Sequence, residues 1–246
     1  MMKIDVLTLF PEMFEPMNHS IMKQAQDKGA ITFETHNFRD FAVNKHGHVD
    51  DYPYGGGAGM LLRVEPIVDM LEALPEDGQK SPRIILMDPI GKPFSQTIAQ
   101  EWSNQDHLIF ICGHYEGFDE RVRDFVTDEV SLGDYVLTNG ELATMVMIDA
   151  TVRLIPEVVG NSESILHESH QTHLLEYPQY TRPKSFRGRE VPEILLSGHH
   201  ANIEKWRHYQ AIKRTYLRRP DLLEETKLSP EDNQILQEII QEENLK

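Results

Sequence analysis

The sequence predicts an α/β fold: a parallel-sheet domain followed by a small all-helical domain. Two short apolar runs, RIILM (83–87) and LIFIC (108–112), have the composition of strands buried on both faces. Strand-like and helix-like patterns alternate through the first 150 residues, which is the rhythm of βαβ units. Beyond residue 190 only helical patterns remain.

The elements follow in order. KIDVLTL (3–9) reads as a buried strand, and residues 18–28 as a helix. Ile31 and Phe33 alternate in a strand over 30–36, and a loop rich in Gly and charge fills 44–59. In EPIVDMLEAL (65–74), Ile67, Val68, Met70, Leu71 and Leu74 cluster on one helical face. Residues 95–103 form the helix between the two apolar strands. VTDEVSLGDYVL (126–137) ends in a strand or turn, and GELATMVMIDA (140–150) is helical. Residues 156–188 are polar with little periodicity, long for a structureless connection. VPEILLSG (191–198) reads as a short helix ended by Gly198, and residues 199–217 as a longer one. The last helix spans 229–243, with Ser229 as N-cap, Pro230 first inside and Asp232 at the capping-box position. The domains expected are 1–160 for the sheet, 161–177 for a linker and 178–246 for the helices.

Composition narrows the function classes. Hydrophobic residues at 39% and charged ones at 26% suit a globular protein large enough for a real core. No apolar run approaches the ~20 residues that span a bilayer, and MMKIDVLTLFPEMF lacks a basic n-region and cleavage site. No membrane association is expected. The single cysteine, Cys112, excludes an internal disulfide and a multi-Cys metal site, and a reducing cytoplasm is the expected compartment. Its place at the end of an apolar run makes it a buried small hydrophobe rather than a nucleophile. The net charge is −16, yet residues 182–219 carry ten Lys/Arg against three Glu. That segment suits a local phosphate grip, or else a solvated helical face.

Several nucleotide and hydrolase motifs are missing. YGGGAGM (54–60) lacks Gly-x-Gly-x-x-Gly spacing, and Leu86 stands where a P-loop ending at Gly91-Lys92 needs Gly. No Gly-x-Ser-x-Gly elbow and no zinc-deaminase signature occur. Three segments remain, each at a strand end: MDPIGK (87–92), CGHYEGFDERV (112–122) and SLGDYVLTNGEL (131–142). Ligands of open α/β sheets bind outside the carboxyl ends of strands. Three such loops point to one shared pocket, in which Gly113, Gly133 and Gly140 let backbone approach a ligand. Ordinary turn chemistry is the plainer reading of any one loop alone.

The chain resembles the bacterial tRNA (guanine-37-N1)-methyltransferases of the knotted SPOUT class. The resemblance lies in LTLFPEMF, VDDYPYGGGAGM, CGHYEGFDERV, SLGDYVLTNGEL, EYPQYTRP and LLSGHHANIEKWR, in family order from residue 7 to about 219. It implies a deep trefoil knot at the end of the first domain, which connection rules alone would disfavour. It also implies a cytoplasmic homodimer with active sites shared between subunits. S-adenosyl-L-methionine would lie bent against Met87, Pro89, Gly113, Tyr115, Glu116, Leu132, Gly133, Asp134, Tyr135, Val136, Leu137 and Gly140. Magnesium is a further helper the family suggests. Asp50, Gly57 and Gly59 match the loop that takes the target base.

The reaction explains which side chains it needs. Guanine N1 holds a proton at neutral pH, so a base must remove it as the methyl arrives. Charge then grows on O6, where a fixed cation helps. Arg153 matches the family arginine for that role; alone, it would pass for a solvent-facing helix end. The family base is Asp in Asp-Ser-Phe, whereas this sequence has Glu168-Ser169-His170. Glu168 is the expected base, with His167, His170 and His173 as alternatives. Further departures are Asn139 for Gly, Ala143 for Pro and Ala58 for Pro. Arg182, Lys184 and Arg214 stand in the basic stretch expected to hold tRNA at its anticodon stem-loop, with guanosines 36 and 37. Trp206 is expected to pack with Ile203 rather than stack on a base. Competing readings are another knotted RNA methyltransferase, a non-catalytic RNA-binding relative and, disfavoured by its missing fingerprint, an oxidoreductase.

Overall fold

The computed structural model describes residues 1–42, 45–75, 81–159, 168–170, 174–225 and 228–245. It divides into two compact units, Met1–Gly160 and Asn161–Lys246.

The first unit is built on a five-stranded sheet. Its strands are β1 (Met2–Thr8), β2 (Ile31–Asn37), β5 (Arg83–Pro93), β6 (His107–Ile111) and β7 (Asp128–Ser131). Every pairing is parallel, in the order β2-β1-β6-β5-β7. Alternate residues feed two cores, one on each face. Ile4, Val6, Ile85, Met87, Leu108 and Phe110 enter one, and Leu7, Leu86, Ile109 and Ile111 enter the other. A strand buried on both faces must be apolar at both parities, which is why RIILM and LIFIC lack alternation.

Helices cover both faces. Helices α1 (Ser20–Asp27), α3 (Gln96–Ser103) and α4 (Glu141–Val152) contribute Met22, Trp102, Met147 and Ile148 to the first core. Helix α2 (Val64–Ala73) contributes Ile67 and Met70 to the second. Ser95 caps α3, its hydroxyl accepting from Ile98 N. Asp5 is a polar exception inside the sheet. Its two oxygens sit 2.7 Å from His36 Nε2 and His107 Nε2. Burial opposes its charge, but those bonds prevail and hold the carboxyl below its ordinary range.

Three local features depart from the expected elements. Residues 11–18 form a 3-10 helix, and only then does α1 begin. Strand β5 does not end at residue 87. It shifts register between Met87 and Lys92, extruding a bulge, and then rejoins β7. The loop over 44–59 contains β3 (Asp50–Asp51), paired antiparallel with β4 (Leu61–Leu62).

Among its described residues, the second unit carries one short hairpin, β8 (Ser185–Phe186) and β9 (Arg189–Glu190), after an irregular stretch. Helix α5 (His200–Arg218), α6 (Asp221–Glu225) and α7 (Pro230–Asn244) follow. The expected helix over 191–198 is a single 3-10 turn, Glu193–Leu196, with Gly198 at φ +73° beyond it. Ser229 caps α7 as expected, its hydroxyl accepting from Asp232 N at 3.1 Å. Among the described residues, no helix is long and apolar enough to cross a membrane.

Candidate active site

The loops after β6 and β7 and the bulge of β5 meet at the carboxyl ends of the strands. They enclose a cavity of about 340 Å³. Met87, Phe118, Val130, Leu132, Leu137 and Ala143 give it an apolar lining. Asp88, Glu116 and Ser131 bring polar groups to it. Of the residues matched to the donor site, Met87, Pro89, Gly113, Tyr115, Glu116, Leu132, Tyr135, Val136, Leu137 and Gly140 line this one cavity. Gly133 and Asp134 do not. Asp134 is exposed, and Gly133 turns the chain between Ser131 and Tyr135. A run of matched residues inside a tight turn cannot aim every member at the ligand. Beside Asn139, already marked as a departure from the family glycine, the wall includes Asp88, Ile90 and His114, which motif matching passed over. Their position inside the quoted motifs was the only sequence signal for them.

Backbone closeness explains the glycines. Gly140 N donates to Gly113 O at 2.9 Å, and a Cβ on Gly140 would stand 2.8 Å from Gly113 N. Only glycine allows that approach. Asn139, in place of the family glycine, lies outside the left-handed region, so its turn carries no backbone strain.

The buried groups beneath the cavity are not nucleophiles. Cys112 is 1% exposed and lies 3.3 Å from Thr144 Oγ1. Burial pushes its thiol pKa well up, which agrees with the hydrophobe reading. Glu141, in the first turn of α4, is 1% exposed and accepts from Thr8 Oγ1 at 2.6 Å. Burial raises its pKa.

The glycine loop adjoins this wall. Gly55, Gly56, Gly57 and Gly59 all have positive φ. A Cβ on Gly59 would meet Glu116 Cγ at 2.3 Å, so the Glu116 side chain lies across that glycine. Hydrogen bonds from Glu116 N to Met60 O and from Leu62 N to Gly117 O tie loop to wall. Asp50 pairs with Leu62 at the loop's base.

Arg153 stands apart from the cavity. It caps the far end of the 12-residue helix α4, whose near end starts at Gly140. At ~1.5 Å per residue, roughly 18 Å of helix separates the two. Glu168 and His170 are described within the second unit, where Glu176 N donates to Ser169 Oγ and His170 has φ +72°. His167 and His173 lie outside the described residues.

The basic stretch divides in two. Arg182, Lys184, Arg187 and Arg189 are exposed in and beside the β8–β9 hairpin. On α5, several bases already serve the fold. Lys213 pairs with Glu242 and Glu243, Arg207 bonds Glu204 over the Tyr177 ring, and Arg214 donates to Glu176 O. Trp206 and Ile203 are half-buried on α5.

A parallel α/β sheet with a ligand-sized cavity at its strand ends puts the first unit in the class of small-ligand-binding α/β domains, and the second unit carries an exposed basic hairpin. The family of the chain follows from comparison. The tRNA (Guanine-1)-methyltransferase TrmD family matches residues 2–225. The chain is 59% identical over 244 residues to the tRNA (guanine-N(1)-)-methyltransferase of Enterococcus faecalis, covering 98% of this chain and 99% of that protein. It is 58% identical over 247 residues to the corresponding protein of Streptococcus gordonii, covering 99% and 100%. The chain belongs to the tRNA (guanine-1)-methyltransferase family.

Proposed function

We infer that the protein transfers a methyl group from S-adenosyl-L-methionine to N1 of guanosine 37 in tRNA, leaving S-adenosylhomocysteine and 1-methylguanosine. One observation carries this reading. Three strand-end loops close a single cavity, and the glycine loop matched to the target base adjoins it through Gly59 and Glu116. About 340 Å³ lies within the range of roughly 300–1,000 Å³ typical of small-molecule sites. The apolar residues Met87, Leu132 and Leu137, with the main chain of Gly113 and Gly140 in the same wall, fit the donor.

The bound donor supplies a methyl already activated by its sulfonium. The protein positions, deprotonates and stabilises. Met87, Leu132 and Leu137 provide an apolar floor for the adenine. Glu168 takes the N1 proton, and Arg153 meets the charge on O6. Magnesium, where it assists, would find the Glu116 carboxylate in the wall, which suits a hard cation.

A second copy of the chain supplies Arg153. Leu142 and Val146, 49% and 50% exposed, share the α4 stripe that continues through Asp149 to Arg153. Two exposed apolar residues on a helix that is apolar on its other faces too mark a surface for burial. A second α4 packed antiparallel on that stripe would bring each Arg153 to the end of α4 where the partner's cavity lies. The exposed hairpin bases Arg182, Lys184, Arg187 and Arg189 meet tRNA phosphates, and the cytoplasm is the place of work.

Nucleoside analysis of a methylated tRNA transcript tests the assignment. We expect 1-methylguanosine at position 37 and none when adenosine replaces that guanosine. Methylation that persists after the replacement overturns it.

A further inference from the structure

The wall contributed by β5 is an irregular stretch of backbone. Met87 and Lys92 both register against Val130, so the residues between them are pushed out of the ladder. Asp88, Pro89 and Ile90 of this bulge line the cavity. Backbone that leaves a sheet loses its ladder bonds and keeps one position only if other contacts impose it.

Such contacts hold it at root and crest. At the root, a Cβ on Gly91 would stand 2.5 Å from Val130 N, so the chain is pressed against β7 there. At the crest, Asp88 Oδ1 accepts from Ile90 N at 3.0 Å, which folds the bulge onto itself. Asp88 Oδ2 accepts from Arg123 Nη2 at 2.9 Å. Arg123 lies in the 3-10 turn Glu120–Phe125, outside the cavity lining. Its Nε donates to Glu120 at 2.9 Å and its Nη1 donates to Glu129. Each guanidinium nitrogen therefore holds a carboxylate from a different segment: bulge, turn and β7. The Arg123 and Asp88 side chains are 16% and 11% exposed, so water screens this pair far less than the exposed neighbour Arg121–Asp119.

We propose that Arg123 is a positioning residue for the methyl donor. It fixes Asp88, and through Asp88 the bulge that forms one wall of the cavity, without touching the ligand. The planar fork matters, because a lysine ammonium cannot hold three separated carboxylates in one plane. The inference rests on the cavity being the donor site.

The test is S-adenosylmethionine binding by calorimetry, with steady-state kinetics, on the full-length protein. Arg123→Met should weaken binding and raise KM for the donor about tenfold, the scale of one lost charge-assisted hydrogen bond. kcat should stay within about twofold, as should KM for tRNA. Arg123→Lys, a milder change that also serves if Arg123→Met fails to fold, should recover only part of the affinity. The double variant with Asp88→Asn should bind no more weakly than the worse single variant, because both break one link. Additive losses, or donor affinity unchanged in Arg123→Lys and Arg123→Met, overturn the proposal. A separate variant, Ala143→Phe, fills the cavity from α4. If it binds donor normally, the cavity reading itself fails and this inference with it. If it loses the donor while the Arg123 variants do not, only the role of Arg123 is refuted.

Discussion

Glu141 shows how a single buried carboxyl links site and stability. It accepts from Thr8, which in turn accepts from Phe10 N, so the start of α4 is tied to the end of β1. Its pKa is raised by burial. A raised acid favours the protonated form in the folded state. Its contribution to stability is full below the unfolded pKa and is lost as pH rises through the folded value. Glu141→Gln, which mimics the protonated acid, should match the parent at pH 4. At pH 8 it should be the more stable of the two. Glu141→Ala should lose roughly 2 kcal/mol at the lower pH, since the Thr8 hydroxyl is left without its acceptor, and less at pH 8. Urea denaturation at the two pH values reads both effects. A glutamine variant less stable at pH 8 would mean that the carboxylate is charged in place.

At the scale of elements, the exposed hairpin and the α5 bases divide the work of charge. Arg182, Lys184, Arg187 and Arg189 are open to solvent, whereas Lys213 is engaged by two glutamates of α7. Replacing Arg187 and Arg189 with glutamine should weaken tRNA binding and reduce the slope of log affinity against log salt by about two. Unfolding stability should scarcely change. Lys213→Gln should do the reverse, lowering stability with little change in salt slope. Filter binding between 50 and 200 mM salt, beside thermal melts, separates the two. The sequence exposed much of this architecture because RIILM and LIFIC admit few alternatives, and Ser229-Pro230 announces its own helix start. It hid the β5 bulge and the β8–β9 hairpin. The bulge depends on Gly91 meeting Val130 and on Arg123 reaching Asp88, contacts made across 35 residues or more that no local pattern encodes. The hairpin strands are two residues each, too short to show a period. In the site, glycine-bearing motifs were legible, since close approach demands a residue type. Asp88 and His114 were not, because nothing about an aspartate or histidine in a turn says which way it faces.

The whole molecule poses the question of where one active site ends and another begins. In a single chain, helix α4 begins at the cavity and ends at Arg153, so the arginine proposed for O6 stands roughly the helix length from the proposed donor site. The exposed Leu142 and Val146 on the connecting stripe fit burial by a second copy. The active site we propose is a property of the pair, with the cavity from one chain and Arg153 from the other. Co-expression of two inactive subunits tests this most directly. Ala143→Phe chains have a blocked cavity but an intact Arg153, and Arg153→Ala chains have the converse. Each alone should be inactive, and mixed dimers isolated with two affinity tags should regain methyl transfer at one of their two sites. Mixed dimers as inactive as either parent would show that cavity and arginine act within one chain, and would contradict the shared site.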